Sequence, residues 1–172
     1  MTDLEIFRAE KDRFFASHPQ SPLTPEQQRN FRGLSYFPEN TGLRLEVTVD
    51  KIPQQEQVTM QTSTGGTQTY TRFGTFTFNV DGQEAALTLY SGEHGYFLPF
   101  VDSLAGAETY GAGRYLEPEA VEGGKYVVDF NLAYNPYCAY NDLYSCPLTP
   151  WENRLKVPIW AGEKAFEGEG HQ

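Results

Sequence analysis

Hydrophobic alternation constrains the fold of this chain more than any other feature. From Leu43 to Val49, apolar residues occupy every second position and polar residues fill the positions between them. This period of two is typical of a strand with one buried face. Because such segments follow one another without helical crossovers, we predict a mainly β protein, an antiparallel barrel or sandwich of about eight strands. The other strand candidates are Val58 to Thr64, Thr67 to Phe73, Gly74 to Val80, Ala85 to Leu89, Tyr96 to Val101, Lys125 to Phe130 and Leu155 to Trp160.

Turn residues separate several of these strands. The pairs Gly65-Gly66 and Asp81-Gly82 lie between alternating segments, and both accept the positive φ of a tight hairpin. Pro99 and Pro158 interrupt two of the other candidates, which places those strands at a sheet edge or a bulge. The hairpins fix only which neighbours pair, so barrel and sandwich remain alternatives.

The N-terminal region has a helical period instead. Thr2 and Glu5 have the spacing of a capping box, and an apolar stripe follows them until the chain reaches His18 and a proline. Thr24 and Gln27 repeat the capping-box spacing with a proline at the first helical position. We therefore predict one or two N-terminal helices.

Length and composition indicate one domain. The chain has 172 residues, of which 39% are hydrophobic and 15% aromatic, enough to form a core. We predict a single domain over residues 1–172, made of an N-terminal helical segment (1–33), a β domain (34–162) and a frayed acidic tail (163–172).

Charge excludes several classes of partner. Thirteen Lys and Arg face 23 Asp and Glu, a net charge of -10, and the basic residues form no cluster. A phosphate backbone or an anionic membrane surface needs such a cluster. The chain also lacks an apolar run of the roughly 20 residues that span a bilayer, and its first residues do not resemble a signal peptide. We expect a soluble, cytoplasmic protein with neither a nucleic-acid nor a membrane partner.

Two stretches concentrate polar residues. Asp102 to Glu117 contains glycines and Arg114, whose planar guanidinium suits a carboxylate or a phosphate. Asp129 to Arg154 is rich in Asn and Tyr and broken by prolines, so its side chains need partners within an ordered loop. Alternatively, Arg114 pairs with Glu108 or Asp102, and the second stretch is a self-packed loop. The predicted ligand-binding residues are Arg114, Tyr115, Asn131, Tyr134, Asn135, Cys138, Tyr140, Asn153 and Arg154.

The two cysteines leave four alternatives open. In the first two, Cys138 and Cys146 are either buried free thiols or joined as a disulfide. In the other two, they are metal ligands, or Cys138 is a nucleophile with His94 as its base. A metal needs further ligands, such as His94, Asp129 or Glu152, and the spacing matches no known metal-binding pattern. We therefore predict no metal site, and the sequence identifies no cofactor.

The second polar stretch and its surroundings resemble a known family. The string DFNLAYNPYCAYNDLYSCPLTPWENRLKVPIWAGEK, the preceding ETYGAGRYLE, and the N-terminal KDRFF, SPL and GLSYFPEN are similar to the bacterial and archaeal domain-of-unknown-function family 1684. The family has no established reaction. The resemblance implies that the two polar stretches belong to one site, without naming what that site holds.

Three functions are compatible with these residues. The leading hypothesis is a β-barrel or sandwich that binds a small, possibly anionic molecule, because Arg114 and Arg154 lie within the two polar stretches. The second is a hydrolase that uses Cys138 or a carboxylate such as Asp129 or Glu152, with or without a metal. The third is a partner-binding module with exposed aromatic loops.

Overall fold

The N-terminal region is helical, as predicted. The computed structural model describes residues 1–167, in which two α-helices form, α1 (Asp3–Ser17) and α2 (Pro25–Asn30). Both predicted capping boxes are present, Thr2 with Glu5 and Thr24 with Gln27. In each box the two residues satisfy one another's free backbone N–H groups, which fixes where the helix begins. No helix within residues 1–167 has the length and apolarity that a membrane span requires.

Strands follow the helices, and all the strand pairs are antiparallel. The mainly β, antiparallel fold class is therefore confirmed. The described residues form nine strands: β1 (Arg44–Thr48), β2 (Asp50–Lys51), β3 (Gln57–Gln61), β4 (Thr67–Val80), β5 (Gln83–Gly92), β6 (Gly95–Phe100), β7 (Arg114–Leu116), β8 (Glu119–Val121) and β9 (Lys125–Asp129).

These strands form two sheets. The larger has the order β2-β4-β5-β6-β7, with β3 also paired to β4, and the smaller has the order β1-β9-β8. The chain passes between the sheets at Val49, which separates β1 from β2, and at Glu117 and Pro118, which separate β7 from β8. The result is sandwich-like rather than a closed barrel, so the structure decides between the two architectures that the sequence left open.

The predicted hairpins are confirmed. Gly65 and Gly66 lie in the connection from β3 to β4, which comprises residues 62–66 and is longer than a two-residue turn, and Asp81-Gly82 joins β4 to β5 with positive φ at both residues (50° and 82°). The two strands predicted on either side of residue 74 are one strand, β4, whose register shifts between Arg72 and Gly74. A Cβ at Gly74 would lie 2.8 Å from the backbone oxygen of Asp50, so glycine allows the close approach of the two backbones there.

The predicted strand from Leu155 to Trp160 is wrong. This segment forms no ladder, and its backbone bonds singly to the loop that follows β6: Leu155 N–H donates to Val101 O (2.6 Å) and Ile159 N–H to Asp102 Oδ2 (2.7 Å). Val157 and Ile159 are nevertheless buried in the main core. Pro158 removes one backbone donor from the middle of the segment, which prevents a continuous ladder.

The main core lies between the two sheets. It includes Val47 and Val128 from the smaller sheet and Phe76, Leu89 and Leu98 from the larger one. Alternation along β6 places its other side chains on the outer face of the larger sheet, where a second apolar cluster contains Phe97, Tyr115 and Cys138. A third cluster joins the helices to the Asn- and Tyr-rich stretch; it contains Phe15, Leu23, Tyr140 and Phe166.

The chain beyond the β domain is ordered for several residues, which differs from the frayed tail predicted from residue 163. Glu163 is 2% exposed and pairs with Tyr36, and Phe166 is buried. The rest of the predicted tail, residues 168–172, lies outside the described residues. That the whole chain is one domain stays a prediction.

Candidate functional site

The two polar stretches lie side by side, as predicted. Tyr115 and Tyr134 pair in antiparallel fashion, with Tyr115 N–H donating to Tyr134 O (2.8 Å) and Tyr134 N–H to Tyr115 O (3.1 Å). The hydroxyl of Tyr115 donates to Pro147 O, further along the second stretch. The residues of these two stretches form a buried region and also line an open cleft.

Arg114 belongs to the buried part. Its side chain is fully buried, and its guanidinium donates to three backbone carbonyls, those of Ala161 (2.5 Å), Ile159 (3.0 Å) and Glu163 (3.1 Å). Asp102 lies 3.5 Å away as its ion-pair partner, the pairing that we considered as an alternative. Burial lowers the pKa of Arg114 and raises that of Asp102, and the mutual attraction of the two charges opposes both shifts. A ligand cannot reach Arg114, so its predicted binding role is replaced by a structural one.

Glu163 extends this buried region toward α1. Its Oε1 accepts hydrogen bonds from the Tyr140 hydroxyl (2.5 Å) and from Asn135 N–H (3.2 Å), while Lys11 forms an ion pair with Oε2. Burial, together with the Glu163 charge, raises the pKa of the Tyr140 hydroxyl well above its ordinary value. We refer to Arg114, Asp102, Glu163, Tyr140 and Asn135 as the buried polar network.

Two further asparagines are buried crosslinks. Asn153 accepts from Thr88 N–H (2.8 Å) and donates to Thr88 O (2.9 Å) and Pro99 O (2.8 Å). Asn131 forms two hydrogen bonds with the backbone of Asn40, at 2.8 and 2.9 Å. Because both amides are nearly saturated by backbone partners, they hold loops in place rather than present groups to a ligand.

Arg154 points away from both regions. It is exposed and stacks on Trp151, with 4.3 Å between its guanidinium carbon and the ring centroid. Trp151 and Leu143 are themselves 83% and 84% exposed, so part of the predicted aromatic loop surface is present.

Tyr115 and Tyr134 face an open cleft of about 810 Å³ on the outer face of the larger sheet. We call it the aromatic cleft and define it by Tyr70, Tyr96, Phe97, Tyr115, Tyr134 and Glu117. Two further clefts, of about 820 and 700 Å³, adjoin it, and all three share Tyr134 and Glu117. These two residues therefore stand where the open surfaces of the two stretches meet.

Contacts between rings order the wall of the aromatic cleft. Tyr70 stacks on Phe97 (centroids 4.9 Å apart), Phe97 meets Tyr115 edge to face (4.8 Å), and Tyr115 meets Tyr134 edge to face (5.9 Å). The hydroxyl of Tyr134 donates to Glu117 Oε1 at 3.0 Å. Burial and the Glu117 charge both raise the pKa values of the Tyr70 and Tyr134 hydroxyls, so these hydroxyls remain protonated donors.

Sequence reasoning missed Tyr70, Phe97 and Glu117. Tyr70 lies in the Thr- and Gln-rich hairpin, for which the sequence indicates at least one solvated face, and Glu117 ends the first polar stretch. The β4-β5-β6-β7 strand order brings Tyr70 and Glu117 together, and local sequence patterns do not predict that order.

The two thiols are free, buried and in contact. The Cys138 backbone N–H donates to Cys146 Sγ at 3.4 Å, and the Tyr110 hydroxyl lies 3.8 Å from Cys138 Sγ. The hydrogen bond from Cys146 lowers the pKa of Cys138 to about 6 despite its burial. The pKa of Cys146 is raised, by sharing its proton with Cys138 and by burial.

Other candidate catalytic groups lie apart from these thiols. His94 is in the exposed turn between β5 and β6, at the rim of the aromatic cleft. Glu152 pairs in bidentate fashion with Arg72, and Asp129 pairs with Arg44 at 3.1 Å. Within residues 1–167, no group of three or more His, Cys, Asp or Glu side chains is arranged to hold a metal ion.

Comparisons with known proteins agree with this description. The chain resembles a solution NMR structure of an uncharacterized protein from Haloarcula marismortui: the two are 41% identical, the match covers 94% of this chain and 91% of that one, and the TM-score is 0.70. No curated protein matches the sequence. The model of a family described as a protein of unknown function (DUF1684) matches residues 29–164, more than half of the chain. The chain therefore belongs to the DUF1684 family.

Proposed function

We propose that this protein binds a small organic cation, such as a quaternary or protonated amine, in the aromatic cleft. The observation that carries the proposal is the position of Glu117, a carboxylate at the junction of three clefts, beside a row of aromatic rings. The protein is a ligand-binding module in this proposal.

The charges around the cleft favour a cation. Glu117 and Glu93 line the aromatic cleft, and among the described residues neither Lys nor Arg lines it or the adjoining cleft of about 820 Å³. The two arginines on which we based an anionic ligand lie elsewhere: Arg114 is buried, and Arg154 covers an exposed tryptophan. Lys11 lines the third cleft and lies 5.2 Å from the Tyr134 ring centroid, but its charge is paired with the buried Glu163. Within the aromatic cleft itself, a negatively charged ligand would therefore meet carboxylates and no cationic side chain.

The rings supply the second part of the recognition. A cation over the face of a tyrosine contributes about 0.5–2 kcal/mol, and more when the site is partly shielded from water. Tyr70 and Tyr134 are half-buried and flank Glu117, so a cation paired with that carboxylate would lie beside their rings. Threonine and glutamine side chains at the rim, such as Thr69 and Gln57, offer hydrogen bonds to the rest of a ligand.

Titration with benzyltrimethylammonium tests the proposal. We expect saturable shifts of the Tyr70 and Tyr134 ring protons in NMR spectra, and benzenesulfonate of similar size should cause none. Glu117→Gln keeps the shape of the side chain but removes its charge, and we expect it to weaken the binding of benzyltrimethylammonium about tenfold, a loss of about 1.4 kcal/mol.

Glu84→Gln is the matched control, because Glu84 is equally a surface carboxylate but lies on β5 near the hairpin, outside the three clefts. It should bind the cation as the unmodified protein does. Equal weakening by both variants would indicate general electrostatic attraction to an acidic protein, and tight binding of benzenesulfonate would refute a cation site.

A further inference from the structure

The pair formed by Cys138 and Cys146 has the geometry of a reactive dithiol. The Cys138 backbone N–H donates to Cys146 Sγ, 3.4 Å away, and both cysteines belong to the same apolar cluster. Both residues are in irregular chain: Cys138 lies in a short 3-10 turn, and Cys146 precedes a proline. A bond between the two sulfurs would close a loop with seven residues between the cysteines.

The chain between the two cysteines can adjust to such a bond. From Asp142 to Ser145 the residues are exposed, and Leu143 is 84% exposed. This exposed half of the loop can change conformation at small cost, whereas Ala139 and Tyr140 in the other half are buried and stay in place. The S–S bond requires sulfurs about 2 Å apart with a defined torsion, and a loop of this kind can supply that freedom.

An open cleft reaches one sulfur of the pair, that of Cys146, while Cys138 lies behind it at 4% exposure. Cys146 lines the cleft of about 700 Å³ that adjoins the aromatic cleft, together with Tyr137 and Tyr144. The contact between the two thiols lowers the pKa of Cys138 and raises that of Cys146, so the pair loses its first proton more readily than its second and can hold a thiolate beside a thiol. A thiolate next to a second thiol is the arrangement of a peroxide-sensitive cysteine and its resolving partner.

We propose that Cys138 and Cys146 form a two-electron redox site that hydrogen peroxide converts to a disulfide. The Cys138 thiolate attacks one peroxide oxygen, the O–O bond breaks, and the departing hydroxide takes a proton to become water, which leaves Cys138 as a sulfenic acid. Cys146 then attacks the Cys138 sulfur, the S–O bond breaks, and the released hydroxide takes the Cys146 proton as a second water. The two thiols supply the two electrons that reduce one peroxide to two waters.

Mass spectrometry of the intact, folded protein tests this directly. After treatment with one equivalent of hydrogen peroxide, we expect the chain to lose two hydrogens and both iodoacetamide-reactive thiols, and dithiothreitol should restore them. Proteolysis without reduction should yield one peptide pair or loop joined through residues 138 and 146. The same protein in urea, where the thiols are separated, should give slower oxidation and mixed products.

Single variants identify the order of attack. In Cys146→Ser, the resolving thiol is absent, so dimedone should trap a sulfenic acid at Cys138. In Cys138→Ser, Cys146 should remain unmodified at the same peroxide concentration. Circular dichroism of each variant shows whether it is folded, and the unmodified protein alone decides the outcome if either variant fails to fold.

Two results would overturn the proposal. One is a folded protein whose thiols both survive excess peroxide while free cysteine in the same tube is oxidised. The other is oxidation to sulfinic acid at either cysteine without any joined peptide. Neither result depends on whether the aromatic cleft binds a cation, so this site and the proposed function can fail separately.

Discussion

The buried polar network and the aromatic cleft contain the same kinds of residue, but polar groups in the network are buried against protein partners whereas those in the cleft face open space. In the network, Arg114 donates to three backbone carbonyls and Tyr140 donates to a buried carboxylate. In the cleft, Tyr134 donates to the exposed Glu117, and the open space beside it is large enough for a ligand. Tyr134 and Tyr140 are only six positions apart in the chain.

This difference arises because polar side chains in the buried network satisfy the backbone groups of an irregular segment that is packed into the protein. After the short 3-10 turn at Trp151–Asn153, residues 154–167 form neither a helix nor a strand, so many of their backbone carbonyls have no ladder partner. Arg114 satisfies three of these carbonyls from outside the segment, at the cost of burying its own polar atoms. An arginine employed in this way is unavailable to ligands, whereas the cleft residues Tyr70, Phe97 and Tyr115 lie on strands whose backbone is already paired.

Removing the charge at Arg114 should produce the largest effect. In Arg114→Ala, Asp102 would remain buried without its partner and three carbonyls would lose their donor, so we expect a loss of about 3–5 kcal/mol in the free energy of unfolding. Urea denaturation measures it. Arg154→Ala, which removes an exposed arginine that stacks on Trp151, is the matched control and should cost less than about 1 kcal/mol.

A stable Arg114→Ala protein that no longer binds a cationic or anionic probe would reverse the comparison, because it would make Arg114 a ligand-binding residue. The double variant Arg114→Met with Asp102→Asn sharpens the test. It removes both charges together, and we expect it to be more stable than Arg114→Ala because no unpaired charge remains.

A pair of tyrosine variants separates the two regions at smaller scale. Tyr140→Phe removes one of the hydrogen bonds to the buried Glu163, so we expect a loss of about 1.5–3 kcal/mol in stability. Tyr134→Phe removes the hydroxyl that orients Glu117, so we expect little change in stability but a few-fold weaker affinity for benzyltrimethylammonium. Denaturation and NMR titration of both variants give the four values; equal stability losses would mean that the cleft is also a structural site.

The predictable part of the fold depends on local chemistry. Both capping boxes and both hairpins follow from residues within a few positions of one another, so the sequence alone locates them. The segment from Leu155 to Trp160 has the composition of a strand, but its backbone partners lie in the loop after β6, more than fifty residues away. Local patterns do not carry that information.

The sequence predicts which chain segments form the site but not which of their residues are exposed in it. The family resemblance and the polar composition place Tyr115 beside Tyr134, and the structure pairs them. Which polar residues become buried depends on packing between distant segments, and Arg114 could therefore be assigned either to a ligand or to Asp102. Glu117 is an ordinary surface glutamate in the sequence and gains its position only from the strand order.

Glu152 is intermediate between the two regions and should give the smallest effect. Its side chain is 32% exposed and accepts from Arg72 (2.7 and 3.2 Å), from Thr88 and from the buried Tyr90. Burial alone would raise the pKa of Glu152, but the hydrogen bonds from Arg72 and Tyr90 outweigh it and lower that pKa below the ordinary 4.5. Glu152 is thus held in place by protein groups although it is accessible to solvent.

The direction of its pH dependence follows from linkage. A carboxylate whose pKa is lower in the folded than in the unfolded state stabilises the protein above its ordinary pKa, and this contribution disappears as the pH falls through the lowered value. Partial exposure screens the interaction, so we expect the contribution to be below about 1 kcal/mol. Urea midpoints of the unmodified protein and Glu152→Gln should differ at about pH 6 and converge as the pH falls below the ordinary 4.5. A constant difference across this range would mean that Glu152 acts through packing and neutral hydrogen bonds, as the buried asparagines do, rather than through its charge.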